Sequence, residues 1–157
     1  MTVLIRNDKQ REKSVKLLGE MQAEAKAFKK KLQSEGHTRK EIKELLDPMI
    51  SQYEDVQADI DQYDRWKGGD LTDFEAADLD QLGIFLIAAR IAKGVTQREL
   101  AERLGVNESS VSRDERNDYH GITIQRAVKI LAALDVSVVI DIWPQRILPP
   151  PADHAVP

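Results

Sequence analysis

The chain has 157 residues, of which 41% are hydrophobic and 32% charged, with a net charge of −4. This length suits one domain or two small units and is too short for a multidomain enzyme. The chain has no cysteine, which excludes disulfides, thiolate metal sites and cysteine nucleophiles. It lacks a run of about 18 apolar residues and an apolar signal core, so we expect a cytoplasmic protein with no membrane span.

The negative charge is unevenly distributed. Residues 1–81 carry 14 basic and 18 acidic side chains, whereas residues 82–134 carry eight basic and six acidic ones. Phosphate neutralisation by Lys and Arg supplies most non-specific affinity for nucleic acid. Of these two stretches, only residues 82–134 carry a net positive charge, which favours DNA binding there.

The N-terminal part predicts a helical hairpin over residues 8–67. Residues 11–32 carry one apolar stripe, and after the break at Ser34 to His37, Thr38 and Glu41 form a capping box for a second helix. That helix has apolar residues at alternating spacings of four and three, typical of a coiled coil. Pro48 lies in it, either as a kink or as a first helical residue behind Asp47. The two stripes are Leu18, Met21, Ala25, Phe28 and Leu32, and Ile42, Leu46, Met49, Tyr53, Val56, Ile60 and Tyr63.

The hairpin has two interpretations. It can pack against itself or the next unit, or it can be an arm for dimerisation or partner docking. We favour dimerisation, because two amphipathic helices alone bury little area and so regular a seam can extend across a dimer. The acidic residues between Glu54 and Asp80 are interpreted as a solvated face.

A second helical unit is expected to begin near Thr72, with Glu75 completing a capping box, and its apolar passage LGIFLIAARIA ends before Gly94. After Leu134 the segment VSVVIDIW alternates with a period of two, which indicates a short β-strand. Its partner is either the same strand of a second chain or residues 3–5; alternatively it lies as an extended segment on the helices. The tail from Pro149 is predicted to be disordered.

The stretch TQRELAERLGVNESSVSRDE predicts a helix-turn-helix. Thr96 and Glu99 form a capping box, Gly105 supplies a positive-φ exit, and Asn107 caps the next helix. Such a turn can place the second helix in the major groove of DNA. Five apolar residues are expected to point inward and five polar residues outward. On the outward face, Arg can bind guanine, Ser can bond a base edge of either kind or a phosphate, and Glu can accept from cytosine N4. The inward set is Leu100, Ala101, Leu104, Val106 and Val111, and the outward set is Glu108, Ser109, Ser112, Arg113 and Arg116.

The segment RIAKGVTQRELAERLGVNESSVSRDERN resembles the Xre/Cro-type helix-turn-helix family of bacterial and phage regulators, over residues 82–136. The resemblance implies that Gln97, at a helix start, bonds a DNA phosphate, and that Glu108, Ser109, Ser112 and Arg113 face the bases. It also implies a structural ion pair between Arg90 and Glu115. The layout as a whole is similar to that of HigA-type antitoxins.

Two positions depart from the family pattern. Asp114 stands where an apolar residue is usual, so either this edge of the core is open or Asp114 has a cationic partner. Asn117 replaces the usual Gly, a small departure because Asn tolerates the left-handed conformation.

Thr123 is predicted to cap a last helix over residues 125–134, with Ala127, Ile130 and Leu134 facing inward. Tyr119 and His120 are placed either beside the DNA backbone or within the loop packing.

No catalytic, cofactor or metal site is predicted. The three histidines, His37, His120 and His154, lie in separate loops or tails. The carboxylates of residues 54–80 lack a desolvated cleft, and neither a phosphate-binding loop nor a Gly-x-Ser-x-Gly motif occurs.

The resulting prediction is a mainly α protein. It has an N-terminal helical hairpin (residues 1–70), a lambda-repressor-like helix-turn-helix domain (residues 71–135), and a C-terminal strand and tail (residues 136–157). The expected function is that of a homodimeric repressor that reads a palindromic operator in double-stranded DNA. The alternative is an antitoxin that masks a small toxin and regulates its own operon. The predicted DNA-contacting residues are Thr96, Gln97, Arg98, Asn107, Glu108, Ser109, Ser112, Arg113, Arg116 and Tyr119.

Overall fold

The computed structural model describes residues 4–75 and 78–140. Its first part is the predicted helical hairpin, formed by α1 (Asp8–Ser34) and α2 (Arg39–Lys67). The Asn7 side chain caps α1 by accepting a hydrogen bond from the backbone amide of Gln10. Thr38 and Glu41 make both bonds of the capping box that begins α2. The hairpin prediction is confirmed.

Helix α2 continues through Pro48. Of the two interpretations of this proline, the interior position is correct, and no new helix starts behind Asp47. A proline ring inside a helix removes one backbone hydrogen bond. Apolar side chains on both sides of Pro48 stay on one buried or half-buried face, so the seam keeps its phase.

The seam of α2 is covered within the chain. Its first part forms a small cluster with α1, in which Leu32, Ile42 and Leu46 are buried. Its last part, with Ile60 and Tyr63, joins the main core of the protein. The face that we expected to extend across a dimer is therefore packed intramolecularly, because α1 and the C-terminal helices bury it.

The segment between the hairpin and the third helix contains two 3₁₀ turns, Thr72–Phe74 and Leu79–Gln81. The expected capping box of Thr72 and Glu75 is not made. The Asp70 carboxylate accepts hydrogen bonds from both the backbone amide and the hydroxyl of Thr72, at 3.1 and 2.7 Å. This local bond competes with helix formation, so the third helix begins ten residues later.

Four shorter helices complete the fold: α3 (Leu82–Ala92), α4 (Gln97–Leu104), α5 (Glu108–Arg116) and α6 (Ile124–Leu134). Thr123 caps α6 as predicted, the helix begins at Ile124, one residue earlier than expected, and its three predicted core residues are buried. The main core joins the first part of α1 and the last part of α2 to these helices. Its members include Ile5, Leu18, Ile60, Trp66, Leu86, Ile87, Leu100, Val111, Ile130 and Leu134.

Gly83 allows a close approach between two backbone segments in this core. A Cβ atom at this position would lie 2.0 Å from the carbonyl oxygen of Asp118. The first turn of α3 therefore packs directly on the backbone that follows α5. This contact fixes where the loop after α5 lies.

The predicted C-terminal strand is not formed by residues 136–140, which are irregular, and no strand occurs elsewhere in the described ranges. A strand needs a partner, and Leu4 and Ile5 are irregular as well. Residues 141–143 of the predicted strand, and the tail from Pro149, lie outside the described residues. Pairing with a second chain stays a prediction. None of the helices in the described ranges is long and apolar enough to cross a membrane.

Candidate nucleic-acid interface

The turn between α4 and α5 has the geometry of a tight helical corner. The Thr96 and Glu99 side chains each accept a hydrogen bond from the other's backbone amide, at 3.1 and 2.7 Å. Gly105 ends α4 at φ 66°, a left-handed conformation that suits glycine. Asn107 has the extended N-cap backbone of α5, but its side chain makes no cap hydrogen bond. The expectation that Asn107 is a strong cap is therefore wrong in its side-chain detail.

Apolar side chains hold the two helices together. Leu100, Ala101 and Val111 are almost completely buried, and Leu104 and Val106 are half-buried beside them. Burial of this kind stabilises by roughly 25 cal/mol for each Å² of apolar surface removed from water. The small Ala101 side chain lets the helices come close. The orientation of α5 is thus determined by its inner face.

The outer face of α5 is polar and accessible. Glu108, Ser109, Arg113 and Arg116 are exposed, and Ser112 is half-buried. Among the described residues, neither Arg113 nor Arg116 forms an ion pair. The predicted reader set therefore lies on one surface and presents two guanidinium groups that no carboxylate in the described ranges neutralises. Such groups can bind guanine edges or phosphates bidentately.

A buried ion pair ties α3 to α5. The Arg90 Nε and a terminal guanidinium nitrogen donate to the two carboxylate oxygens of Glu115, at 2.5 and 2.8 Å. The side chains are 3% and 0% exposed. Arg90 also donates to the Val95 carbonyl oxygen at 2.8 Å, which places the turn before α4. These are the two residues for which the family resemblance implied a structural pair.

Gln97 is part of the same network. Its side-chain amide nitrogen donates to the second carboxylate oxygen of Glu115, at 2.7 Å. The capping box engages the amides of Thr96 and Glu99, which leaves those of Gln97 and Arg98 at the start of α4. A phosphate at this point would meet backbone N–H groups and the positive end of the helix dipole. Arg98 lies beside it, in an exposed pair with Glu102.

Asp114 has a cationic partner, as one of our two alternatives required. Its carboxylate accepts a hydrogen bond at 2.7 Å from Arg126 on α6. An ion pair therefore covers this edge of the core.

The left-handed turn after α5 is displaced from its expected position: Asn117 has φ −96°, whereas Asp118 and Tyr119 have φ 49° and 53°.

Tyr119 corrects the predicted set of DNA contacts. Its side chain is only 4% exposed and belongs to the main core. Burial in these surroundings raises the pKa of its hydroxyl well above the ordinary range. A side chain so placed packs the loop and is not available to a phosphate. His120 next to it is exposed.

Sequence reasoning missed Arg6. The Arg6 Nε donates to the backbone carbonyl oxygen of Glu115 at 2.8 Å, and a terminal nitrogen donates to Asp118 at 2.6 Å. Its own carbonyl oxygen accepts from Arg90 at 2.9 Å. A cation at the C-terminal end of a helix is favoured by the helix dipole. No local pattern around residue 6 indicates the contact with the end of α5, because Glu115 and Asp118 are more than a hundred residues away.

The described residues contain no group of three or more His, Asp or Glu side chains that could hold a metal ion.

Residues 86–140, about a third of the chain, match a family model described as helix-turn-helix. Searches of curated proteins and of solved structures found no match. The family is one of DNA-binding regulatory domains, not of enzymes.

Proposed function

We propose that this protein is a DNA-binding regulator, a homodimeric repressor that reads a palindromic operator through α5, where residues 86–140 match the helix-turn-helix family model. The observation that carries the proposal is the outer face of α5. Arg113 and Arg116 are exposed there, while Glu115 on the opposite face is fully buried against Arg90. The buried pair restricts rotation of the helix, which is what direct base readout requires.

The charge distribution supports this assignment. Residues 82–134 are net positive, although the chain as a whole is net negative. Gln97 and Arg98 at the start of α4 are the proposed backbone contacts, and Ser109, Ser112 and Arg113 the proposed base contacts. Phosphate contacts position a protein on DNA, and base contacts give the sequence preference. Glu108 adds a carboxylate that can accept from cytosine N4 and would disfavour other bases.

Dimerisation is supported by an apolar surface on α6. Ile124 and Val128 are one turn apart and 72% and 57% exposed. Residues 138–140, which follow the helix, are exposed as well. A second copy packed here would bury these side chains and would relate two α5 helices by a two-fold axis. Half-sites on DNA are then expected about 34 to 36 Å apart, or a multiple of that spacing.

Selection of bound sequences from a pool of random duplexes tests this proposal. We expect a palindrome to be enriched, with one base position that depends on Arg113. Arg113→Ala should cost about 1 to 3 kcal/mol on the selected site and relax the preference at that position alone. Lys26→Ala, which removes an exposed charge from α1 away from both proposed surfaces, is the control. Failure to enrich any sequence would contradict the proposal, and an equal loss on all sequences would make Arg113 a phosphate contact.

A second candidate function is that of an antitoxin whose hairpin binds a small toxin. One observation favours it: the far end of the hairpin has a groove of about 350 Å³ with an apolar floor and basic walls. It would accept an apolar segment that carries acidic side chains. The groove is lined by Ile42, Leu46, Ile50, Lys29, Arg39 and Lys43.

Deletion of the hairpin would be a poor test, because Ile5, Ile60 and Trp66 belong to the main core. Charge reversal of Arg39 and Lys43 to Glu in the full chain leaves that core intact. The antitoxin function predicts that a small protein encoded next to this one co-purifies with the wild type, is lost from this variant, and leaves DNA binding unchanged. Equal recovery by both proteins would contradict this role for the groove.

A further inference from the structure

A groove connects the beginning of the hairpin to the proposed DNA-binding face. It has a volume of about 400 Å³ and lies between the start of α1, the end of α2 and the starts of α4 and α5. It is lined by Gln97, Arg98 and Glu108, which belong to the predicted DNA contacts. Lys9 and Lys67 of the hairpin line it as well. The hairpin therefore adjoins the DNA-binding face.

Most charges around this groove are neutralised by close partners. Arg90 is paired with Glu115, Arg6 with Asp118, and Lys67 with Asp8. Lys9 is exposed and makes no ion pair with any residue in the described ranges. Of the lysines that line the groove, Lys9 is the one whose charge has no carboxylate partner there.

The backbone of Lys9 is held firmly in place. Asn7 caps the helix, and Ile5 is buried in the main core. Asp8 accepts a hydrogen bond from the Tyr63 hydroxyl at 3.0 Å, and Arg11 donates to Asp64 at 2.6 Å. The start of α1 is thus fixed to the end of α2, so Lys9 keeps a constant position relative to α4. Such preorganisation lowers the entropic cost of a contact.

We propose that Lys9 binds a phosphate of the DNA backbone beside the site read by α5, so that the hairpin is part of the DNA-binding surface. This inference rests on the proposed DNA-binding function. A strand that passes the start of α4 at Gln97 and Arg98 runs along the groove that Lys9 borders. Lysine is a common partner of DNA phosphates, and its contact carries no base preference. The Lys9 contact would strengthen binding on all sequences.

The test is the salt dependence of DNA binding by the full-length protein, measured by fluorescence anisotropy on a random-sequence duplex and on a selected one. Each phosphate contact adds about 0.9 to the slope of log K against log salt concentration. Lys9→Ala should lower that slope by about 0.9, which at 0.1 M salt corresponds to roughly eightfold weaker binding. Lys9→Arg should retain the wild-type slope.

Lys26→Ala is the matched control. It removes the same charge from an exposed position of the same helix, 17 residues or about 25 Å farther along. A second measurement compares chemical acetylation of Lys9 and Lys26 with and without duplex: DNA should protect Lys9 only. If Lys9→Ala and Lys26→Ala have the same slope as the wild type, the Lys9 contact is refuted while DNA binding stands. If the wild type binds no duplex, the proposed function fails together with it.

Discussion

Replacing Glu115 by Gln should be among the most damaging single changes in this protein. The substitution keeps the size and shape of the side chain, removes its charge and replaces one acceptor oxygen with a donor NH2 group. Glu115 is fully buried and accepts hydrogen bonds from Arg90 at 2.5 and 2.8 Å and from Gln97 at 2.7 Å. In the variant, the Arg90 guanidinium, itself 3% exposed, keeps its charge without a carboxylate partner.

The magnitude follows from that burial. Breaking a buried ion pair by removing one partner costs about 3 to 5 kcal/mol, because the remaining charge stays desolvated. A typical domain is stable by about 5 to 15 kcal/mol, so the loss is a large part of the total. The remaining bonds of Arg90 to Val95 and Arg6 hold its position and prevent an easy escape to water.

Urea unfolding followed by circular dichroism at 222 nm measures this loss. With a denaturant dependence of about 2 kcal/mol per M, the unfolding midpoint should fall by about 1.5 to 2.5 M. Glu102→Gln, which breaks an exposed pair with Arg98, is the control and should cost less than about 1 kcal/mol. The double variant Arg90→Met, Glu115→Leu should be more stable than Glu115→Gln, because it leaves no buried charge. Equal midpoints for Glu115→Gln and Glu102→Gln would refute the reasoning.

Two further predictions concern packing and pH. Gly83→Ala should lower the melting temperature, because its Cβ would meet the Asp118 carbonyl at 2.0 Å, an overpacking that costs about 1 to 3 kcal/mol. Gly19→Ala, also inside a helix but with no atom within 4 Å, should stabilise the fold by up to about 1 kcal/mol and raise the melting temperature. A shift of the same sign in both variants would contradict the Gly83 contact. The hydrogen bond from Arg11 lowers the pKa of Asp64, so this pair stabilises the fold at neutral pH and ceases to do so as pH falls through the lowered pKa. Asp64→Asn should therefore cost less than about 1 kcal/mol at pH 7 and nothing in strong acid, and a pH-independent difference in melting temperature would refute it.

Local signals predicted the helices well. The capping boxes at Thr38 and Thr96 and the positive φ of Gly105 depend on residues at most a few positions apart. The inward stripes of α4 and α6 follow from helical periodicity alone. Where two local signals competed, as at Thr72, the nearer one prevailed, since the Asp70 side chain bonds Thr72 two residues on.

Contacts distant in sequence could not be predicted in this way. Nothing near Arg6 indicates that it bonds the end of α5, and nothing near Tyr119 distinguishes a buried ring from one that faces DNA. The left-handed backbone conformations of Asp118 and Tyr119 also result from a contact between segments that are distant in sequence. The close packing of α3 on this loop at Gly83 determines the course of its backbone, and this packing overrides the local preference of Asn117.

The bonds of Arg6 also determine the order in which contacts can form while the chain is being synthesised. Its partners Glu115 and Asp118 are 109 and 112 residues farther along. A ribosome that adds about 5 to 20 residues per second needs roughly 5 to 20 s to reach them. Arg6 is synthesised long before these two partners. The end of α5 therefore acquires its bonds to Arg6 only after the intervening helices have been made.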